Sequence, residues 1–390
     1  VVFGSGKMAC GLLGPLLTQA GYETLFIARR EEVVVSINWN GGYRLTISAP
    51  KVRNLVVRHC LALRLAEADA VTRAVAAADL VMTGLGINNL YTVAPLIAEG
   101  LWQRSLGPGA RPLNVVACEN LPGAGAYLRH MIIGAASIER SIALESVGGF
   151  SAGLTRRIMT GGELQNGGLR FAVSGPPELV LDIKGLKGTL PRIPGVALTE
   201  DFAAFVIRKL FTLNLAQAVA AYLGYHYNCR YMHEAAMHPA VAPVVRGAVS
   251  EACAALQAEF PQQRTEIARD ACQALDQIGN SGLGDVIRRV ARDPCRKLSA
   301  LERLVGPARL ACRHGLPYNH LSVGIAAALA YDEPEDQEAR ALQRTIVLEG
   351  IEKVLTVDCG LLPHEALARA VKGQWRYLVT TDGEAAVGVR

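Results

Sequence analysis

The chain is 390 residues long, enough for two domains of ordinary size, and it is 51% apolar against 19% charged. That balance is globular and excludes a disordered or fibrous chain. A formal net charge of +5 is too small and too dispersed for a nucleic-acid-binding surface, yet it suits an anionic small molecule. No unbroken apolar run of about 18 residues stands out as a membrane span. The opening residues read as strand and glycine turn, with no signal peptide expected. Nine scattered cysteines, with no C-x-x-C pair and no zinc-ligand spacing, read as buried thiols of a cytoplasmic protein, and no metal site is expected.

In chain order, residues 1–3 read as the tail of a first strand, 12–20 as a helix stopped by Gly21, and 24–28 as a second strand. Two more buried strands are expected at 79–83 and 114–118, with a helix near 91–100 between them. Short β-branched runs alternating with Ala/Leu-rich helical runs are the pattern of a parallel sheet. After about Leu190 the texture changes to long Ala-rich amphipathic stretches at 201–223, 244–259 and 262–275. The turn-rich stretch G-L-K-G-T-L-P-R-I-P-G at 185–195 reads as a connector, and the domain boundary is placed just before it. The expected fold is an α/β Rossmann domain with a mostly parallel sheet over 1–183, followed by a mainly α-helical substrate and catalytic domain over 184–390.

The opening F-G-S-G-K-M-A-C-G carries the chemistry of the first half. Gly4, Gly6 and Ala9 occupy the G-x-G-x-x-G/A positions between a strand and a helix, the context a dinucleotide-binding turn requires. Gly4 permits the tight turn, Gly6 lets the backbone approach a pyrophosphate, and Ala9 allows close helix packing. Lys7 and Met8 complete this turn; Gly84, after the strand at 79–83, and Asn120 join the expected cofactor set. An NAD-specific site places an acidic residue at the end of the second strand, where this chain has Ala28, Arg29 and Arg30. A guanidinium pairs with a 2′-phosphate that a carboxylate repels, so NADP is preferred over NAD.

Two further motifs are the most informative in the chain: R-K-L-F-T-L-N-L-A-Q-A at 208–218 and A-C-E-N at 117–120. With the 185–195 stretch they resemble the polyol-specific long-chain dehydrogenases, and among them the sugar-phosphate members. The resemblance implies Lys209 as general acid/base and Asn214 with Asn120 as the pair that holds the reacting oxygen. It also implies departures. Gln217 replaces a histidine and is left to orient substrate without relaying a proton. Arg156, in T-R-R-I at 155–158, replaces an aspartate. On an ideal α-helix Lys209, Asn214 and position 217 spread over an arc of roughly 140°, so the lysine must reach or the helix must bend. His226 and His233 are candidates to compensate for Gln217, although packing roles fit them better; His314 reads as structural. Arg296 and Lys297, in R-D-P-C-R-K-L-S at 292–299, suit a phosphate monoester.

The resulting expectation is an oxidoreductase interconverting a secondary alcohol and a ketone on a polyol or cyclitol, phosphorylated, with NADP or NAD. Its partner is a small-molecule substrate, not nucleic acid or membrane, and it is expected as a monomer or small homo-oligomer. Two alternatives stand beside this reading. T-L-F-I-A-R-R at 24–30 also resembles ketopantoate reductases, which act on a keto acid. The altered polar positions also admit a non-catalytic NADPH-binding sensor.

Overall fold

Val2, Phe26, Met82 and Val116 face one side of a central sheet, while their chain neighbours Phe3, Ile27, Val81 and Val115 face the other. Both sets are apolar because both faces are covered, which is why these strands read as unbroken apolar runs rather than as alternating ones. The computed structural model describes residues 1–48, 51–121, 123–134, 136–165, 168–175, 177–190 and 192–380. The chain divides into two compact units, Val1–Val206 and Ile207–Arg390.

The first unit contains strands β1 (Val2–Phe3), β2 (Thr24–Ala28), β3 (Gly42–Ile47), β4 (Arg53–Arg58), β5 (Cys60–Arg64), β6 (Leu80–Thr83), β7 (Leu113–Ala117), β8 (Gly148–Leu154), β9 (Met159–Gln165), β10 (Gly168–Val173), β11 (Leu179–Asp182) and β12 (Val196–Thr199). Eight form one sheet in the order β12-β11-β8-β7-β6-β1-β2-β5, and β5 to β8 run parallel throughout. The order β5-β2-β1-β6-β7-β8 is the doubly wound 3-2-1-4-5-6 arrangement, whose strand order reverses between β1 and β6. Helices Glu31–Asn40, Ala68–Ala77, Leu90–Ser105 and Ala124–Gly134 fill the crossovers. A second sheet, β4-β3-β10-β9, caps one face. Its Tyr43, Leu45, Leu169 and Phe171 share a core with Leu12, Leu13 and Phe26.

The small sheet was not legible as strands, and neither were β8, β11 and β12. The domain boundary expected at 183/184 also falls inside the first unit. β12 pairs in parallel with β11, and the Asn114 side chain on β7 exchanges two hydrogen bonds with the Lys187 backbone, at 2.8 and 3.0 Å. The turn-rich stretch therefore folds onto the first sheet.

The second unit is helical. Leu215–His226 runs through it with Leu215, Ala216 and all residues from Ala218 to Gly224 buried. Small residues let its neighbours approach: a Cβ on Gly324 would lie 2.7 Å from Val219, and one on Gly224 2.6 Å from Ile287. Helices Ala242–Glu259, Arg264–Ile278 and Asn319–Leu329 surround it. By length and composition the continuous helix Phe202–His226 is apolar enough to cross a membrane, which the sequence reading overlooked. Two-thirds (67%) of its most apolar window is buried inside the protein, as in a core helix.

Candidate active site

Parallel strands in register deliver their C-terminal ends to one edge of the sheet. Phe3 pairs with both Ile27 and Thr83, and Thr83 with Ala117, so Gly4, Ala28, Gly84 and Cys118 leave the strands side by side. Gly4 has φ of +115°, and a Cβ there would stand 2.6 Å from the Gly84 carbonyl oxygen. Only glycine meets both conditions. Gly6 is the opposite case: nothing lies within 4 Å of its absent Cβ. That open backbone at the head of a helix fits a pyrophosphate, which needs close approach and N–H donors.

The helix after this turn is not a plain α-helix. Ala9–Leu13 is π-helical, with the Gly14 N–H donating five residues back to the Ala9 carbonyl, before α-helix resumes at Gly14–Gln19. Two carbonyls of the widened turn have side-chain donors. The Tyr43 hydroxyl donates to the Cys10 carbonyl at 2.6 Å, and the Arg157 guanidinium to that of Gly11 at 2.9 Å. Arg157 also donates to the Ser174 and Gly175 carbonyls, and burial pulls its pKa down to about 10. The small sheet and its connection thus brace the cofactor helix.

At the end of β2, Ala28 is buried while Arg29 and Arg30 are exposed. Arg30 approaches Glu32 at 3.5 Å. Sequence reasoning missed Arg64, which lies directly across from Ala28 in the β2–β5 register and pairs with Glu31 at 3.0 Å. Glu67 adds a third carboxylate, accepting from the Arg64 backbone N–H at 3.1 Å, so three guanidinium groups meet three carboxylates at this corner.

At the end of β7, Asn120 is exposed, and its chain neighbour Glu119 is buried. The Glu119 carboxylate accepts from Thr83 Oγ1 and from the Leu85 and Gly86 N–H groups. It too went unnoticed in the sequence, where the A-C-E-N motif drew attention to the asparagine.

The second unit holds Lys209, Asn214 and Gln217. Leu210–Asn214 is another π-helical segment, with the Leu215 N–H donating to the Leu210 carbonyl. Lys209 precedes it and Asn214 ends it. In this geometry the backbone hydrogen bonds reach five residues back. A π turn advances less per residue than an α-helix, which narrows the angle between Lys209 and Asn214 below the roughly 140° of an ideal α-helix. Lys209 is 8% exposed and Asn214 5%, while Gln217, one α-turn further, is half-buried. The Thr212 hydroxyl donates to the Arg208 carbonyl at 2.7 Å, and Arg208 itself pairs with buried Asp270 at 3.1 Å. These contacts anchor the segment within its unit.

Other candidates sit differently from expectation. Lys297 is buried, and its ammonium donates to the carbonyls of Val290, at 2.7 Å, and Arg292, so it is not presented to a phosphate. Arg296 is about half exposed and shared between Asp293 and Glu302 at 3.4 and 3.6 Å. His226 ends its helix nine residues beyond Gln217, about 13 Å along the axis, and cannot stand in for a histidine at 217. Burial lowers its pKa. His233 stacks on Tyr231, and His314 pairs with Glu259 at 2.7 Å. Arg156 is buried with its guanidinium 4.2 Å from the Phe205 ring centroid. Of the cysteines, Cys272 and Cys312 are exposed rather than buried.

Comparison with known proteins bears on this arrangement. Residues 1–195 match the mannitol dehydrogenase Rossmann domain, and residues 201–372 match the mannitol dehydrogenase C-terminal domain. A mannitol-1-phosphate 5-dehydrogenase of Bacillus pumilus is 36% identical over 372 residues, covering 95% of this chain and 97% of its own. One from Brevibacillus brevis is 36% identical over 389 residues, covering 98% and 99%. Among solved structures, a substrate-free D-sorbitol dehydrogenase gives a TM-score of 0.79 at 15% identity, over 97% of this chain and 92% of that one. Mannitol 2-dehydrogenase of Pseudomonas fluorescens, in ternary complex with NAD and D-mannitol, gives 0.71 at 16% identity, over 98% and 94%. At such identities these structures speak for the fold: a Rossmann unit followed by a helical one. The ketopantoate-reductase alternative gives way to this match, and the chain belongs to the mannitol dehydrogenase family.

Proposed function

We propose that this dehydrogenase, which acts on CH–OH groups, interconverts a secondary alcohol and a ketone on a phosphorylated polyol, with NADP preferred over NAD. The observation that carries the reading is the buried Lys209 at the head of a π-helical turn that ends in Asn214. When bound, the nicotinamide takes up or supplies the hydride. In oxidation the proton of the reacting hydroxyl passes to Lys209 Nζ; in reduction Lys209 returns it to the ketone oxygen. Asn214 and Asn120 donate to that oxygen through carboxamide N–H groups, which stabilise developing negative charge without adding a cation. Gln217 orients a neighbouring hydroxyl.

The glycine turn Gly4–Ala9 and the loop at Gly84 would hold the cofactor. Arg29, Arg30 and Arg64 support the NADP preference, since a guanidinium can pair with a 2′-phosphate that an acidic residue at the end of β2 would repel. The curated relatives named mannitol-1-phosphate 5-dehydrogenase support a sugar-alcohol phosphate. Arg296 is its proposed contact; Lys297 is withdrawn from that role because its ammonium is occupied. Gln217 and Arg156 make a substrate related to, but distinct from, mannitol 1-phosphate the second reading.

The test is NADPH and NADH oxidation against fructose 6-phosphate, fructose and phosphorylated cyclitol ketones. Turnover of phosphorylated substrates with NADPH is expected. Equal turnover of free and phosphorylated sugars would remove the phosphate, and indifference to NADPH would remove the cofactor preference.

A further inference from the structure

Asn120 and the cofactor turn are joined by one buried side chain. Glu119 is 6% exposed, and both its oxygens are used. Oε1 accepts from Thr83 Oγ1 at 3.2 Å and from the Leu85 N–H at 3.0 Å; Oε2 accepts from the Gly86 N–H at 3.0 Å. The loop so gripped is held from its other side as well. Asn89 Nδ2 donates to the Leu85 carbonyl at 2.8 Å, and Gly86 takes φ of +89°. The same loop packs on the glycine turn: a Cβ on Gly84 would lie 2.9 Å from the Met8 side chain and 3.2 Å from the Ala9 nitrogen. The Gly4 turn cannot shift without moving Gly84, and Gly84–Gly86 cannot shift without releasing the carboxylate beside Asn120.

We infer that Glu119 is a positioning residue that couples the cofactor turn to Asn120, fixing the 84–86 loop so that cofactor binding and orientation of the reacting oxygen share one geometry. A carboxylate is required for electrostatic reasons. Three donors converge on it, two of them backbone N–H groups on different oxygens, and a carboxylate offers acceptor sites on both. Glutamine has nearly the same shape but turns an NH₂ toward one of those N–H groups, opposing donor to donor. The inference rests on the cofactor and Asn120 roles proposed above, and its test separates the two.

The experiment uses full-length protein and compares the parent with E119Q and T83V. Three quantities are read: exchange of the Leu85 and Gly86 amide protons without cofactor, the Kd for NADPH by its fluorescence, and kcat and KM separately. In E119Q those two amides should exchange about tenfold faster or more, Kd should rise about tenfold, and kcat should fall about tenfold with a smaller change in substrate KM. The Tm should move by only about 3 °C, since burial and shape are kept. T83V, which removes one donor and leaves the carboxylate, should raise Kd about threefold and carries the test if E119Q does not fold. Parental exchange, Kd and kcat in a folded E119Q, or parental Kd in T83V should E119Q not fold, overturn the inference. If the parent itself binds neither NADPH nor NADH, the cofactor reading fails first, and the coupling fails with it.

Discussion

Lys209 and Asn214 stand at the two ends of one π-helical turn, five residues apart in sequence. An α-helix would have separated them by roughly 140°. Such segments are rare and concentrate where function requires a side chain to be re-aimed, and the cofactor helix contains a second one at Ala9–Leu13.

Replacing Lys209 by Met keeps the length and apolar stem and removes the proton-carrying group. Turnover should fall about a thousandfold in both directions, as expected for loss of a positioned acid/base, while the Kd for NADPH stays within about twofold. Single-turnover and equilibrium-binding measurements check both halves. A variant retaining a tenth of parental kcat would reassign the acid/base role.

The two leading glycines should fail for different reasons. G4A forces an alanine to φ of +115° with its methyl 2.6 Å from the Gly84 carbonyl oxygen, so about 3 kcal/mol or more of stability should be lost. G6A has open space for its methyl in the protein alone, so its melting temperature should match the parent while NADPH binding weakens about a hundredfold. Denaturant melts and fluorescence titration separate these outcomes; equal damage to stability by both changes would contradict the geometry.

The three guanidinium groups at the end of β2 and β5 predict a selective loss. R29A, R30A and R64A should each raise the Kd for NADPH by about three- to tenfold, with NADH nearly unaffected, because a surface guanidinium–phosphate contact is worth on the order of 1 kcal/mol. Parallel titrations with the two cofactors decide it. Equal losses for both would place the arginines elsewhere in function.

Lys297 predicts a pH dependence of stability. Burial, followed by repulsion from Arg303 and Arg296, lowers its pKa from the ordinary 10.5 to about 7. The unfolded chain therefore binds this proton more tightly than the folded protein, and stability rises with pH wherever the unfolded state holds more protons. Relative to K297M, the parent should gain up to about 1 kcal/mol per pH unit from pH 7 toward pH 10, and the difference should level off below pH 7. Urea melts of both proteins at matched pH values test this. A flat difference would mean that the lysine keeps an ordinary pKa despite its burial.

Much of the molecule was legible without coordinates, and the reason is locality. Gly4, Gly6 and Ala9 form a turn whose demands are met within nine residues, and the strands at 24–28, 79–83 and 114–118 are short apolar runs between turn signals. Lys209, Asn214 and Gln217 lie within nine residues of each other, so their helix could be read, and the angle per residue left either a reaching lysine or a bent helix. What escaped depends on partners far along the chain. The small sheet pairs β3 with β10, more than a hundred residues apart, so neither strand has its partner nearby in the chain. Arg64 meets Ala28 through strand register, and Glu119 meets Leu85 and Gly86 across more than thirty residues. Lys297 looked like a phosphate ligand because composition records a charge but not its burial.

The amino-acid sequence by itself determined a glycine turn suited to a dinucleotide and a lysine motif suited to proton transfer, because each is written in consecutive residues. Only the tertiary structure decided that a π turn lies between Lys209 and Asn214, that Arg64 lies across from Ala28 at the end of β2, and that Lys297 donates to backbone carbonyls. Those outcomes turn on burial, register and backbone geometry, which arise when distant segments pack together.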